Sequence, residues 1–377
     1  MFNWFYFAAL ISGFAAQAAS LPLDLPIYPG ATWEVNDSYR ARALPLSQLE
    51  DFLFPANPSE RSPATDGIVI IKGGKIIYER YDHNYGPEKR HAFWSISKSI
   101  FSAVYGAALA DGKLKNEDSV CARLAQKDAK ICAIRNIDLL QHSSGLEWAE
   151  TYENSSRPKD SSVIALLYGG GTKDATNFVL SLHQPSHPPG THWNYSSGDS
   201  NLLAGVFRIA LGEEAAAYPW KRIFSPLGIQ SFIWETDEKG SLIASSYLHG
   251  TPRDLARVGL LFLREGKWAG QDILPSNWIR FSTTMAPALR TTKQIVAPGR
   301  EPNMYGAHWW LNLANPDQGL GKPWPNQPEN VYAALGHWGQ SMIILPSEDL
   351  VIVRMANDRR DRLPLDRFLS LVREFAQ

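Results

Sequence analysis

Two strand-forming hairpins stand near opposite ends of this chain, and their placement constrains the fold more than any other feature. The first reads GIVIIK at 67 to 72 and KIIYERY at 75 to 81, joined at Gly73-Gly74, which supplies the positive φ that a tight turn needs. The second pairs Ser341 to Leu345 with Leu350 to Met355 across a PSED turn. A sheet built from both must close around everything between them. That interior is helical in character: Ser95 to Leu109 is a small and apolar run closed by Asp111-Gly112, and Ser162 to Leu167, Asn201 to Ala210 and Arg253 to Arg264 are further helical patches. Pro364 to Ala376 ends the chain with a stripe of Leu365, Phe368, Leu369, Val372 and Phe375 suited to covering a sheet face. The pattern predicts an α/β domain, discontinuous over 20–100 and 246–377, interrupted by a mostly helical domain at 101–245.

With 37 Lys and Arg against 38 Asp and Glu, a net charge of -1, the chain carries no basic surplus for nucleic acid. Its 44% hydrophobic and 20% charged composition is that of a globular protein with a sizeable core. The first 23 residues hold no charged side chain, and an apolar run ends at Ala16-Gln17-Ala18. This reads as a signal peptide over 1–19 and an exported protein, periplasmic or secreted. The absence of Lys and Arg before the run leaves an uncleaved anchor as the alternative. No second apolar stretch of about 18 residues follows, so no membrane span is expected after processing. Cys121 and Cys132 are the only cysteines, eleven positions apart. Export makes a disulfide plausible, with two unlinked thiols as the other reading.

The chemistry begins at Ser95-Ile96-Ser97-Lys98. Positions i and i+3 share a helix face, so a hydroxyl and an amine are neighbours at the helix start, where free N–H groups favour oxyanion charge. Unperturbed Lys and Tyr have pKa values of about 10.4 and about 10, too high for a base at neutral pH. Burial lowers a lysine and a nearby ammonium lowers a tyrosine, so a Ser, Lys and Tyr cluster generates a base without histidine. Tyr195, in PPGTHWNYSSGDSNLLAG, follows a Pro/Gly turn and precedes an apolar helix, which places it on a loop open to a cleft. Gly336-His337-Trp338-Gly339-Gln340 leads into the Ser341 strand. If that strand is an edge lining the cleft, the Gln340 N–H completes an oxyanion hole with the Ser95 N–H, and His337 faces substrate.

These three motifs, in order, resemble the serine β-lactamase and penicillin-binding-protein superfamily, within it the class C-like branch of esterases and 6-aminohexanoate-dimer hydrolases. SISK lies at 95 to 98, YSS at 195 to 197 where the family has Y-x-N or a variant, and HWG at 337 to 339 where many members have K-T-G. The stretches IRNIDLLQHSSGLEW at 134 to 148, TPRDLARVGLLFLREGKWAGQDILPSNWI at 251 to 279 and GHWGQSMIILPSEDLVIVRM at 336 to 355 resemble the same branch, and the likeness covers about 67 to 377. The resemblance implies an antiparallel sheet flanked by helices with a helical insert. It implies Ser95 as acylated nucleophile, Lys98 as its base, Tyr195 as proton relay, backbone stabilisation from Ser95 and Gln340, and substrate contacts from Ser197, His337, Trp338 and Gly339.

Two departures bear on substrate. Ser197 replaces the usual Asn, and His337, with an ordinary pKa of about 6.5, replaces a Lys that helps bind the carboxylate of β-lactams and D-alanyl peptides. A small ester or amide therefore ranks above a β-lactam or cell-wall peptide; a noncatalytic member of the fold is the other alternative, against which intact Ser95, Lys98 and Tyr195 count. Trp94, Trp193 and Trp338 flank the motifs, either as an aromatic pocket wall or as core. Glu150 to Asn154 matches an E-x-x-x-N spacing, but it precedes Tyr195 in a polar loop and reads as accidental. His183, His187 and His192 are separated by prolines and lack an accompanying carboxylate or cysteine, so neither metal nor cofactor is expected. The residues leave the oligomeric state open.

Overall fold

The computed structural model describes residues 26–152, 161–182, 184–298, 300–359 and 363–377; the apolar segment 1–19 lies outside them. Six strands form the main sheet: β1 (Thr65–Lys72), β2 (Lys75–Tyr81), β3 (Trp310–Leu311), β4 (Tyr332–Gly336), β5 (Gln340–Leu345) and β6 (Leu350–Ala356). Their order is β2-β1-β6-β5-β4-β3, antiparallel throughout. The two hairpins meet at the centre, where Val69 pairs with Val353 and Ile70 with Ile352. Gly73 and Gly74 turn the first hairpin with φ of 59° and 78°.

Both sheet faces are covered, which is why these strands are almost continuously apolar. On one face Ile68, Ile70, Ile77, Ile343 and Ile352 pack with α1 (Ala43–Leu53) and the C-terminal helix, α5 (Leu365–Ala376). The stripe read from sequence does this: Phe368, Leu369, Val372 and Phe375 are fully buried. On the other face Val69, Ile71, Met342, Val351 and Val353 join a larger core that includes α2 (Ile96–Ala110), α3 (Ser197–Leu211) and α4 (Pro252–Leu263). Among the described residues, 93–232 hold helices and no paired strand.

One expectation about the sheet is corrected. The Gln340 strand is not an edge, because β4, whose short YAALG run carries little strand signal, pairs outside it. Cys121 and Cys132 are joined by a disulfide. Among the described residues, no helix is long and apolar enough to cross a membrane.

Candidate active site

Ser95 is the N-cap of α2, half-buried, and the preceding Trp94 has a left-handed φ of 49°. Non-glycine residues rarely adopt that conformation, and it turns the chain abruptly into the helix. Ser97 faces the opposite way, donating to the Ser246 carbonyl at 2.7 Å, while the Phe93 N–H donates to the Leu248 carbonyl at 2.9 Å. These bonds lay residues 245–250 along the start of α2. Lys98, one turn below Ser95 and fully buried, therefore meets three oxygens: Ser95 Oγ at 3.0 Å, Ser197 Oγ at 3.0 Å and the Ser245 carbonyl at 3.1 Å.

The Tyr195 segment arrives from α3. Ser196 caps that helix by accepting from the Asp199 N–H at 3.0 Å, which leaves Tyr195 just outside it and Ser197 as its first residue. The Lys98 Nζ lies 4.9 Å from the centre of the Tyr195 ring, which stacks on Trp310 at 5.3 Å. The third segment comes from the turn between β4 and β5. Trp338 adopts φ 58° there, and Trp94 packs against His337 and Trp338 at 5.4 and 5.2 Å. Tyr152 stacks on His337 at 4.3 Å. Trp94, Tyr152, His337 and Trp338 thus make an aromatic wall beside Ser95. Trp193 belongs to the core, against Tyr305.

Glu150 is the residue the sequence reading set aside. Its carboxylate accepts from Ser197 Oγ at 2.6 Å and from the Ser197 N–H at 3.0 Å, takes the Trp148 indole N–H at 2.5 Å, and lies 3.9 Å from Lys98 Nζ. Asn194 brings it there: its backbone N–H donates to the His142 carbonyl and its side-chain Nδ2 to the Trp148 carbonyl. Asn154, the other end of the E-x-x-x-N spacing, lies outside the described residues. The signal that could have found it is the Ser197 replacement, because a hydroxyl beside a buried ammonium calls for a second partner.

Electrostatics separate the two candidate bases. Burial lowers Lys98 from 10.5 to about 8, with the Glu150 charge opposing. Tyr195 goes the other way: burial and Glu150 push its phenol well above its ordinary value, against a smaller opposing effect of the Ser95 hydroxyl. The expectation that the ammonium lowers the tyrosine is corrected accordingly, since desolvation outweighs it. Behind Tyr195 lies a buried layer that the sequence reading did not single out. His142 and His308 are held neutral by burial, the latter at about 3, and Asp199 is raised to about 8 while accepting from Ser144 Oγ at 2.7 Å.

Gln340 is buried, with its side-chain amide bound to the Ala356 backbone on both sides. Gly339 sits over a buried Arg354–Asp358 pair: Arg354 Nη1 donates to the Gly339 carbonyl at 3.2 Å and to Asp358 Oδ2 at 2.8 Å. His187 and His192 stack at 4.0 Å, His183 lies outside the described residues, and no group of three metal-ligating side chains occurs among those described.

A nucleophile-capable serine at a helix start, a buried lysine bonded to it and a tyrosine over that lysine define a serine hydrolase of the Ser-Lys-Tyr kind. The family model for beta-lactamase matches residues 60–372, and the chain belongs to that family. It is 22% identical over 303 residues to a 6-aminohexanoate-dimer hydrolase of Paenarthrobacter ureafaciens, covering 78% of this chain and 72% of the relative. Among solved structures it resembles EstCE1, a hydrolase with promiscuous acyltransferase activity, at TM-score 0.64 and 15% identity over 89% of this chain and 99% of that one. It also resembles the octameric penicillin-binding protein homologue from Pyrococcus abyssi, at TM-score 0.63 and 16% identity over 88% and 78%.

Proposed function

We propose that the protein hydrolyses small esters or amides through an acyl-enzyme on Ser95. The observation that carries this reading is the Lys98 amine, fully buried yet 3.0 Å from Ser95 Oγ, with a pKa brought down to about 8. In its neutral form Lys98 takes the Ser95 proton as Oγ attacks the carbonyl carbon. The Ser95 N–H at the start of α2 receives the oxyanion, and the family resemblance gives the Gln340 N–H, beside the β4–β5 turn, as the second donor although its strand is internal to the sheet. Tyr195, whose phenol is protonated at rest, gives that proton to the departing alcohol or amine and recovers one from the Lys98 ammonium. Water then attacks the acyl group by the same route in reverse and frees Ser95.

The aromatic wall of Trp94, Tyr152, His337 and Trp338 favours an acyl chain or flat leaving group over a carboxylate-bearing β-lactam, as does histidine at 337. The amide-cleaving relative, a 6-aminohexanoate-dimer hydrolase, supports amides within the same class. The chain is proposed to be exported, and the Cys121–Cys132 disulfide supports an oxidising compartment. The test is a panel of p-nitrophenyl butyrate, a 6-aminohexanoate dimer, a D-amino-acid amide and nitrocefin with wild-type and Ser95→Ala protein. Turnover of the ester or an amide, lost in Ser95→Ala, is expected. Full activity of that variant, or turnover of nitrocefin alone, overturns the reading.

A further inference from the structure

We propose that Glu150 is a positioning residue that aims the Lys98 lone pair at Ser95, acting through the Ser197 hydroxyl. The inference rests on the reading of Lys98 as the base for Ser95. An ammonium has three N–H groups, and Lys98 has three acceptors at 3.0, 3.0 and 3.1 Å, so the charged form is fully satisfied. A base needs the neutral form, which has two N–H groups and one lone pair. That lone pair must face a donor, and the surroundings decide which one.

The Ser245 carbonyl has no proton to give. Ser197 has one, but its Oγ lies 2.6 Å from Glu150 Oε1, and a carboxylate only accepts. The Ser197 proton is therefore engaged with Glu150, and its oxygen presents a lone pair to Lys98. Among the three groups bonded to Lys98, Ser95 is left as the one hydroxyl able to donate to the amine, which is the direction the chemistry requires. Glu150 is fixed in this task by the Trp148 indole N–H and the Ser197 N–H, both on Oε2, and its side chain is only 13% exposed. Its oxygens are occupied from within, which sets it apart from a substrate-binding carboxylate. The geometry also explains how a serine serves where the family has asparagine. Each group can accept from lysine on one side and donate on the other, and here the carboxylate decides which way round.

Glu150→Gln reverses that polarity without changing shape. The two N–H groups at the Oε2 position claim the amide oxygen, so the amide NH2 faces Ser197 Oγ and frees the hydroxyl to turn its proton toward Lys98. The readout is the rate of covalent labelling of the full chain by a fluorophosphonate, followed by intact mass, with thermal melting as a check on folding. Glu150→Gln is expected to label about 10- to 100-fold more slowly, and Ser197→Ala less than about 5-fold more slowly. The double variant is expected to label about 5-fold faster than Glu150→Gln alone, because the misdirected hydroxyl is gone. Damage from a purely structural role would accumulate instead. Wild-type labelling by Glu150→Gln, or a double variant no faster than it, overturns the inference. Should Glu150→Gln fail to fold, Glu150→Ala with and without Ser197→Ala gives the same comparison with the same two outcomes. Labelling that persists in Ser95→Ala refutes the underlying site reading instead, so the two failures are distinguishable.

Discussion

Gly336 packs so closely on Phe93 that a Cβ added to it would stand 2.4 Å from the Phe93 carbonyl oxygen. Real Cβ atoms do not approach a backbone oxygen so closely, so one of the two segments must move. Phe93 leads by two residues to Ser95, and Gly336 pairs with Gln340 across the β4–β5 turn. Gly336→Ala should therefore displace the nucleophile relative to the turn, lowering kcat by about 10-fold or more with a smaller effect on stability, since misplacement by about 1 Å costs up to about 100-fold. Steady-state kinetics beside a melting curve checks this.

The buried amine sets the pH dependence. Lys98 acts only when neutral, and its pKa is about 8, with Glu150, Tyr195, His142 and His308 the ionisable groups around it. Below that value kcat/KM should fall about tenfold per pH unit and above it should level off, so activity rises from pH 6 to 8. Removing the Glu150 charge takes away the influence that raises Lys98, and in Glu150→Gln the acid limb should move to lower pH. A flat profile between pH 6 and 9 would refute Lys98 as the base.

Replacing Cys121 and Cys132 with serine opens a loop of eleven-residue separation. The loop-entropy estimate gives a loss of about 3 kcal/mol, read as a lower urea midpoint. Activity of the folded fraction should be unchanged, because neither cysteine approaches the Ser95 cluster in the hydrogen-bond network.

Arg354 and Asp358 form a two-pronged pair with side chains 0% and 3% exposed, and Asp358 also accepts from the Ala64 N–H at 2.8 Å. Asp358→Asn leaves the guanidinium buried without its countercharge, and a loss of about 3–5 kcal/mol in denaturant unfolding is expected. Because the pair underlies Gly339, the variant should also lose activity at temperatures where it remains folded.

The main sheet was legible because its hairpins combine apolar runs with turn chemistry, and α2 because its small apolar residues end at Asp111-Gly112. The β4 strand was not, since Ala333, Ala334 and Gly336 give almost no strand signal and owe their pairing to neighbours. Ser95, Lys98 and Tyr195 could be picked out from local spacing and order. Glu150 could not: it reaches Lys98 from another loop, and its apparent setting in sequence is polar and exposed. The high phenol pKa of Tyr195 was equally hidden, because it comes from burial by Trp310 and Tyr305 on a segment more than 100 residues away.

The middle of the sheet is a seam between β1 and β6, whose paired residues are separated by some 280 positions. During synthesis the first hairpin leaves the ribosome long before its partner exists, and one side of β1 waits with open backbone groups until residue 356 has emerged. Contacts of such long range make for slow folding and an aggregation-prone interval. Ser95 lies between β1 and β6 in sequence, and the β4–β5 turn that packs beside it through Gly336 and Phe93 emerges about 240 residues later, so the site is complete only near the end of synthesis.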